Sequence, residues 1–149
     1  MRIVGGKYKG KSLNHIKSFI TRPLKDVVKE NIFNILSHSN DVGINLENSK
    51  VLDLYSGTGS FGIECVSRGA KKVTFVEKDK NALKVLKKNL SEIKINNEAI
   101  LIDENENGIF EDEQPEISGT QAAIRARICG AGGQQATFSF VAGKAVSYT

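Results

Sequence analysis

The 149-residue sequence predicts an α/β fold built on a parallel sheet. Two short apolar runs, 51–54 and 72–76, are separated by one predicted helix, and a third, 98–102, follows a long amphipathic segment. Short buried strands that alternate with helices are typical of βαβ units, whose strands are parallel. We therefore expect one domain whose ligands bind at the carboxyl ends of its strands.

The first 13 residues, MRIVGGKYKGKSL, combine basic side chains with an aromatic ring and glycines. The basic and aromatic residues are Arg2, Lys7, Tyr8, Lys9 and Lys11. Cations interleaved with an aromatic ring can hold phosphates and stack a base, which makes this arm a candidate RNA-binding extension. An ordinary basic hairpin or edge segment explains the same residues equally well.

The next segment, TRPLKDVVKENIFNIL, predicts the first helix, with Thr21 as its cap and Pro23 in its first turn. Its predicted apolar stripe consists of Leu24, Val27, Val28, Ile32, Ile35 and Leu36. Arg22 stands at the helix start, where it opposes the helix dipole. This position favours a role in gripping a phosphate or the nucleotide, with a surface arginine of no such role as the alternative.

The central motif is VLDLYSGTGSFG, residues 51–62. Gly57 and Gly59 allow the backbone to turn sharply and approach a ligand before a helix begins. The spacing up to Gly62 also satisfies the dinucleotide fingerprint, so the glycines alone leave NAD and S-adenosylmethionine (SAM) open. Asp53 favours SAM, because its carboxylate can face a ligand ammonium group or fix the loop through backbone N–H groups.

Two further carboxylates stand at the ends of predicted strands. Glu77 follows the second strand, 24 residues after Asp53, where it can bind both ribose hydroxyls of a nucleoside. Asp103 ends the third strand, and Asp79 is the predicted cap of the long amphipathic helix. Because the carboxyl ends of parallel strands share one edge, we expect Asp53, Glu77 and Asp103 to converge.

The charge is distributed unevenly along the chain. Residues 1–103 contain 18 Lys and Arg against 11 Asp and Glu, whereas residues 104–149 contain 3 against 6. A basic segment suits a polyanion such as RNA, and a solvated lysine surface is the alternative. The two cysteines, Cys65 and Cys129, have no metal-ligand spacing and fit a reduced protein. No apolar run has the length of a membrane span, and we expect a cytoplasmic monomer without a metal.

Four stretches in order resemble the bacterial methyltransferases that modify a guanine N2 in small-subunit (16S) ribosomal RNA. They are MRIVGGKYKGKSL, TRPLKDVVKENIFNIL, VLDLYSGTGSFGIECVSRGA and VTFVEKD. The resemblance covers about residues 1–103. It implies a Rossmann-like, SAM-dependent methyltransferase sheet, incomplete in this chain, with a small basic N-terminal extension.

The resemblance also implies a cofactor and an RNA partner. The implied SAM-binding residues are Asp53, Tyr55, Gly57, Gly59, Glu77 and Asp103. The loop 53–59 would surround the amino-acid end of SAM, Glu77 would bind its ribose, and Asp103 would lie beside its adenine. The basic arm and Arg22 would face ribosomal RNA or the small ribosomal subunit, or help to close the site.

The catalytic signature of such enzymes is absent from this chain. After their fourth strand they carry Asn/Asp-Pro-Pro-Tyr/Phe, which accepts hydrogen bonds from the exocyclic amine and stacks the base. Here Pro23 and Pro115 are the only prolines and stand far apart. The catalytic residues are therefore unassigned. A SAM- or RNA-binding module without catalysis is one alternative, and a nucleotide-dependent oxidoreductase is another.

Beyond Asp103 the composition changes, because lysine nearly disappears and Ala, Gly, Gln, Ser and Thr take over. We expect three strands before this point and one hairpin, 136–141 with 145–149, after it. One hypothesis is that residues 104–149 are a divergent, foreign or frame-shifted end. Residues 103–114 also carry the oxygen-ligand spacing of a calcium loop, but Gln114 replaces its final glutamate, and a solvated acidic loop is the favoured alternative.

Overall fold

A computed structural model describes residues 1–17, 25–38 and 44–103 with their side chains, and three strands between 123 and 148 by their backbone. The helices are α1 (Asp26–His38), α2 (Ser60–Ser67) and α3 (Lys80–Ile93). The strands are β1 (Lys50–Leu54), β2 (Lys72–Glu77), β3 (Ala99–Asp103), β4 (Ala123–Cys129), β5 (Gln135–Val141) and β6 (Lys144–Tyr148). The predicted α/β fold is confirmed.

One six-stranded sheet has the order β3-β2-β1-β4-β5-β6. Strands β1, β2 and β3 are parallel, with Asp53 opposite Phe75 and Glu77 opposite Asp103. Their carboxyl ends therefore share one side of the sheet, which we call the carboxyl edge and define by Leu54, Glu77 and Asp103. Ligands of open α/β sheets bind at such an edge.

The other half of the sheet is antiparallel. Strands β5 and β6 pair as the hairpin that the tail predicts. The expectation of only three strands and a hairpin is wrong, because β4 pairs antiparallel with β1. Its sequence, AIRARIC, alternates apolar with basic residues, which is a strand pattern that a search for continuous apolar runs misses.

The predicted stripe of α1 is only partly correct. Ile32 and Leu36 are buried, but Val27 is 69% and Ile35 is 52% exposed. The helix instead buries Lys29 completely, because its ammonium group pairs with a buried carboxylate on α2. This contact fixes how the helix is rotated about its axis. The predicted helix start, Thr21–Leu24 with Arg22, lies outside the described residues.

The hydrophobic core lies between the parallel strands and the helices. Phe33 of α1 stacks on Phe61 of α2, with ring centroids 5.1 Å apart. The apolar stripe of α3, formed by Leu83, Leu86, Leu90 and Ile93, is buried as predicted. Asp79 caps α3, as its sequence position predicts, and accepts a hydrogen bond from the Ala82 N–H at 2.7 Å.

The N-terminal segment forms a hairpin, residues 1–14, that packs on α2. Arg2 bridges Ser12, and the Ile3 N–H donates to the Lys11 carbonyl at 2.9 Å. Gly6 has a φ of +74°, and a Cβ there would collide with the Ser67 carbonyl. The hairpin can therefore approach α2 this closely only with a glycine at this position. None of the described helices combines the length and hydropathy needed to cross a membrane.

Candidate cofactor site

The loop after β1 has an unusual backbone. Tyr55, Gly57 and Gly59 all have positive φ values, of 57°, 56° and 85°. A tyrosine in this region is a costly conformation of the kind that clusters at ligand sites. The two glycines differ in their surroundings. A Cβ at Gly59 would collide with a methyl group of Leu86, whereas no atom lies within 4 Å of the Cβ position at Gly57. Gly57 therefore leaves the loop surface open.

Asp53 lies beneath this loop and is only 2% exposed. Its Oδ2 accepts a hydrogen bond from the Gly62 N–H at 3.0 Å, one of the N–H groups at the start of α2 that have no partner within the helix. Burial raises the pKa of Asp53 to about 7, the Gly62 hydrogen bond opposes the rise, and the nearby Glu77 charge adds to it. A ligand ammonium group would favour the charged carboxylate.

Glu77 ties the glycine loop to the end of β2. Its Oε2 accepts a hydrogen bond from the Gly57 N–H at 2.7 Å. Its Oε1 accepts from the N–H groups of Lys78 and Asp79, both at 2.9 Å. A carboxylate offers about four acceptor positions, so three are in use. Bidentate binding of two ribose hydroxyls would require at least one of these N–H groups to move away.

The three strand-end carboxylates are neighbours at the carboxyl edge. Glu77 and Asp103 are register partners on adjacent strands, and the Glu77 charge acts on Asp53. Among the residues described with side chains, no group of three His, Cys, Asp or Glu could hold a metal ion. Apart from Asp103, the calcium-loop segment 104–114 lies outside the described residues.

The site suits SAM in its charge and its shape. A desolvated carboxylate at Asp53 matches an ammonium group, and the open face of Gly57 allows a ligand to approach the backbone. The carboxylate of Glu77 can accept hydrogen bonds from hydroxyl groups. The residues present therefore fit the cofactor, and which ligand they bind stays a prediction.

A buried ion pair that the sequence patterns did not reveal holds the hairpin against the helices. Lys29 Nζ lies 3.5 Å from Glu64 Oε2, and both side chains are fully buried. The ammonium group donates to the Arg2 carbonyl at 2.6 Å and to Ser60 Oγ at 3.1 Å. Burial lowers the pKa of Lys29, and the Glu64 charge opposes this. The pair links the hairpin to the first residue of α2.

Glu64 also binds the hairpin backbone directly. Its two oxygens accept from the Val4 N–H at 2.9 Å and the Gly5 N–H at 2.7 Å. Arg68 Nε lies 3.0 Å from Glu64 Oε1. One turn further along α2, Ser67 Oγ donates to the Gly5 carbonyl at 2.6 Å. Hydrogen bonds to a charged group are stronger than neutral ones, so the hairpin is firmly attached.

The predicted RNA-binding residues of the arm lie at two places. At the hairpin tip, Lys7, Lys9 and Lys11 are exposed, and the ammonium groups of Lys7 and Lys11 lie 5.2 and 5.1 Å from the Tyr8 ring centroid. The Lys7 N–H bonds the carbonyl of Ser67, the last residue of α2, so the tip lies about 10 Å along that helix from the cofactor loop. The exposed Arg2 is at the hairpin base, and its guanidinium lies 3.5 Å from Asp26. Arg22 lies outside the described residues.

A further residue that the sequence patterns did not reveal is Asn89, which is 1% exposed. It occupies a place in the apolar stripe of α3, next to Leu86 and Leu90. A polar side chain within an apolar stripe is the signal that could have identified it, and Lys29 in α1 is a second case. Buried polar groups of this kind require partners.

The parallel half-sheet, with one carboxylate before a glycine loop and another after the next strand, defines the class of the Rossmann-like methyltransferase folds. Comparisons with known proteins agree with that class. The chain belongs to the family described as Conserved hypothetical protein 95, whose profile matches residues 1–118.

Two relatives are named ribosomal RNA small subunit methyltransferase D. The one from Haemophilus influenzae is 42% identical over 98 residues, which are 66% of this chain and 48% of the relative. The one from Escherichia coli is 33% identical over 101 residues, 68% of this chain and 48% of the relative. The predicted family resemblance is confirmed. The chain spans about half the length of the curated relatives it matches.

Solved structures support the same fold. The candidate methyltransferase YhhF of Escherichia coli is 30% identical, with a TM-score of 0.56 over 69% of this chain and 51% of that one. A protein of undefined function from Thermus thermophilus is 28% identical, with a TM-score of 0.57 over 69% of this chain and 54% of that one.

Proposed function

We propose that this chain is the SAM-binding half of a methyltransferase acting on a guanine N2 of small-subunit ribosomal RNA. The observation that carries the proposal is the desolvated carboxylate of Asp53 beneath a glycine loop that Glu77 holds at 2.7 Å. Relatives named as small-subunit ribosomal RNA methyltransferases support the substrate class.

In this proposal each residue of the carboxyl edge has one task. The loop 53–59, including Tyr55 and the two glycines, holds the amino-acid end of SAM, and Asp53 balances its ammonium group. Glu77 accepts hydrogen bonds from the ribose, and Asp103 lies beside the adenine. When bound, SAM supplies the methyl group that is transferred.

The RNA would bind the basic surface of the hairpin. Its tip presents three exposed lysines and Tyr8, a combination that can hold phosphates and stack a base. Arg2 and Arg22 are the proposed contacts nearer the cofactor. Because the tip lies about one α2 length from the loop, it would bind RNA at a distance from the reacting guanine, which would have to be unstacked from its neighbours.

Calorimetric titration with S-adenosylhomocysteine (SAH) tests cofactor binding. We expect the wild-type chain to bind, Asp53→Ala to lose binding, and Glu30→Gln, which changes an exposed carboxylate on α1, to bind like the wild type. NAD in place of SAH tests the oxidoreductase alternative. Absence of SAH binding by the folded wild-type chain would refute the proposed cofactor site.

Transfer of a labelled methyl group to small-subunit ribosomal RNA tests the reaction. A SAM- or RNA-binding module without catalysis is the second candidate function, and two observations favour it. The Asn/Asp-Pro-Pro-Tyr/Phe motif is absent. Strand β4 is antiparallel to β1, with Cys129 opposite Lys50, so residues that follow β4 begin at the edge remote from the cofactor loop. SAH binding without methyl transfer would select this candidate.

The composition break after Asp103 supports a proposal about domain organisation. Residues 1–103 would be the arm and cofactor half, and residues 104–149 a divergent, foreign or frame-shifted end. Sequencing the intact gene from the same source tests this. A gene that encodes the same 104–149 segment would overturn the proposal of a foreign or frame-shifted end.

A further inference from the structure

The base of the hairpin is joined to the cofactor loop through the buried carboxamide of Asn89. Its Oδ1 accepts from the Asn14 backbone N–H at 2.8 Å and from Asn14 Nδ2 at 3.0 Å. Its Nδ2 donates to the Asn14 carbonyl at 3.0 Å and to the Thr58 carbonyl at 2.9 Å. Since a carboxamide offers two donors and two acceptor positions, its hydrogen-bonding capacity is filled.

Thr58 lies between the two glycines of the cofactor loop, so its carbonyl orientation is part of the loop conformation. Asn89 holds that carbonyl from α3, while Asn14 holds Asn89 from the hairpin. On the other side of the loop, Lys29 connects the Arg2 carbonyl to Ser60 Oγ. The base of the hairpin therefore reaches both flanks of the segment 58–60 through buried polar side chains.

We propose that Asn89 is a positioning residue for the cofactor loop and that the hairpin base, through Asn14, is part of the cofactor site. The prediction for SAM affinity rests on the proposed function. The positioning of the loop itself does not. Linkage makes the effect reciprocal, since a hairpin that favours the binding-competent loop must in turn be stabilised by the ligand.

Two matched variants on α3 isolate the contact. Asn89→Asp keeps an acceptor for Asn14 but removes the donor to the Thr58 carbonyl. Asn81→Asp makes the same chemical change at an exposed position of the same helix. We expect Asn89→Asp to weaken SAH binding by about tenfold, as expected when a buried carbonyl loses its donor, and Asn81→Asp to bind like the wild type.

Amide hydrogen exchange gives the readout that general destabilisation would not move. In the ligand-free chain, we expect the Gly59 N–H, which bonds the Ser56 carbonyl, to exchange faster in Asn89→Asp than in Asn81→Asp. On addition of SAH, the hairpin amides of Ile3 and Leu13 should exchange more slowly in the wild type. In Asn89→Asp this protection of the hairpin should be lost even at saturating SAH.

The outcomes separate this proposal from the proposed function. If the wild type does not bind SAH but Gly59 exchanges faster in Asn89→Asp, the cofactor assignment fails and the positioning of the loop stands. Unchanged Gly59 exchange, or unchanged SAH affinity with hairpin protection retained, would overturn the positioning role. If Asn89→Asp does not fold, Asn14→Ala replaces it, because it keeps the backbone contacts and should produce the same changes at about two- to threefold size.

Discussion

Raising the pH from about 4 to about 7 should destabilise the folded protein through Asp53. Burial raises its pKa from 3.8 to about 7, whereas the unfolded chain keeps the ordinary value. Between these values the folded state holds a proton that the unfolded chain has released. The stabilising contribution is therefore complete below about pH 4 and is lost as the pH rises to about 7.

The size of this effect follows from the pKa difference. A shift of about 3 units corresponds to about 4 kcal/mol at full ionisation. Asp53→Asn cannot ionise, yet its side-chain oxygen can still accept the hydrogen bond from the Gly62 N–H. The difference in unfolding free energy between the wild type and this variant should therefore change by about 4 kcal/mol across the interval, and the other titrating groups cancel in the difference.

Urea denaturation of both proteins at a series of pH values measures this difference. SAH titration at the same pH values adds a second readout with the opposite sign. A ligand ammonium group favours the ionised carboxylate, so SAH affinity should rise with pH through about 7 as Asp53 loses its proton. Parallel stability curves for the wild type and Asp53→Asn would refute the reasoning about the buried carboxyl group.

Three further predictions concern packing and the loop. Glu64→Gln leaves the buried ammonium group of Lys29 without its charge partner and should cost about 3–5 kcal/mol in urea denaturation; the double variant with Lys29→Met should be more stable than Glu64→Gln, and equal or lower stability would contradict the ion-pair assignment. Gly59→Ala should lower the thermal midpoint more than Gly57→Ala, since both adopt positive φ but only Gly59 lacks room for a Cβ; equal midpoints would be inconsistent with that packing. Asp79→Ala should cost about 1 kcal/mol by loss of the α3 cap, and guanidinium unfolding curves that superpose on the wild type would rule the cap out as a stabilising contact.

Local sequence patterns were sufficient for the parallel half of the fold. The apolar runs, the glycines and the cap at Asp79 act within a few residues of one another, so β1, α2, β2 and α3 could be predicted in order. The convergence of Asp53, Glu77 and Asp103 also followed, because parallel strands place their carboxyl ends on one edge. The strand β4 was missed because alternating apolar and basic residues do not form an apolar run.

The sequence by itself thus determined the class of fold, the family and the loop that is proposed to bind the cofactor. Only the tertiary structure showed that Lys29 is buried, that Val27 and Ile35 of the same helix are exposed, and that Asn89 connects the hairpin to the loop. These contacts join residues far apart in the chain, such as Asn14 and Asn89, which are 75 positions apart. Hydrophobic periodicity reports which face of an element is apolar, but a buried polar side chain is decided by the partner that the fold brings to it.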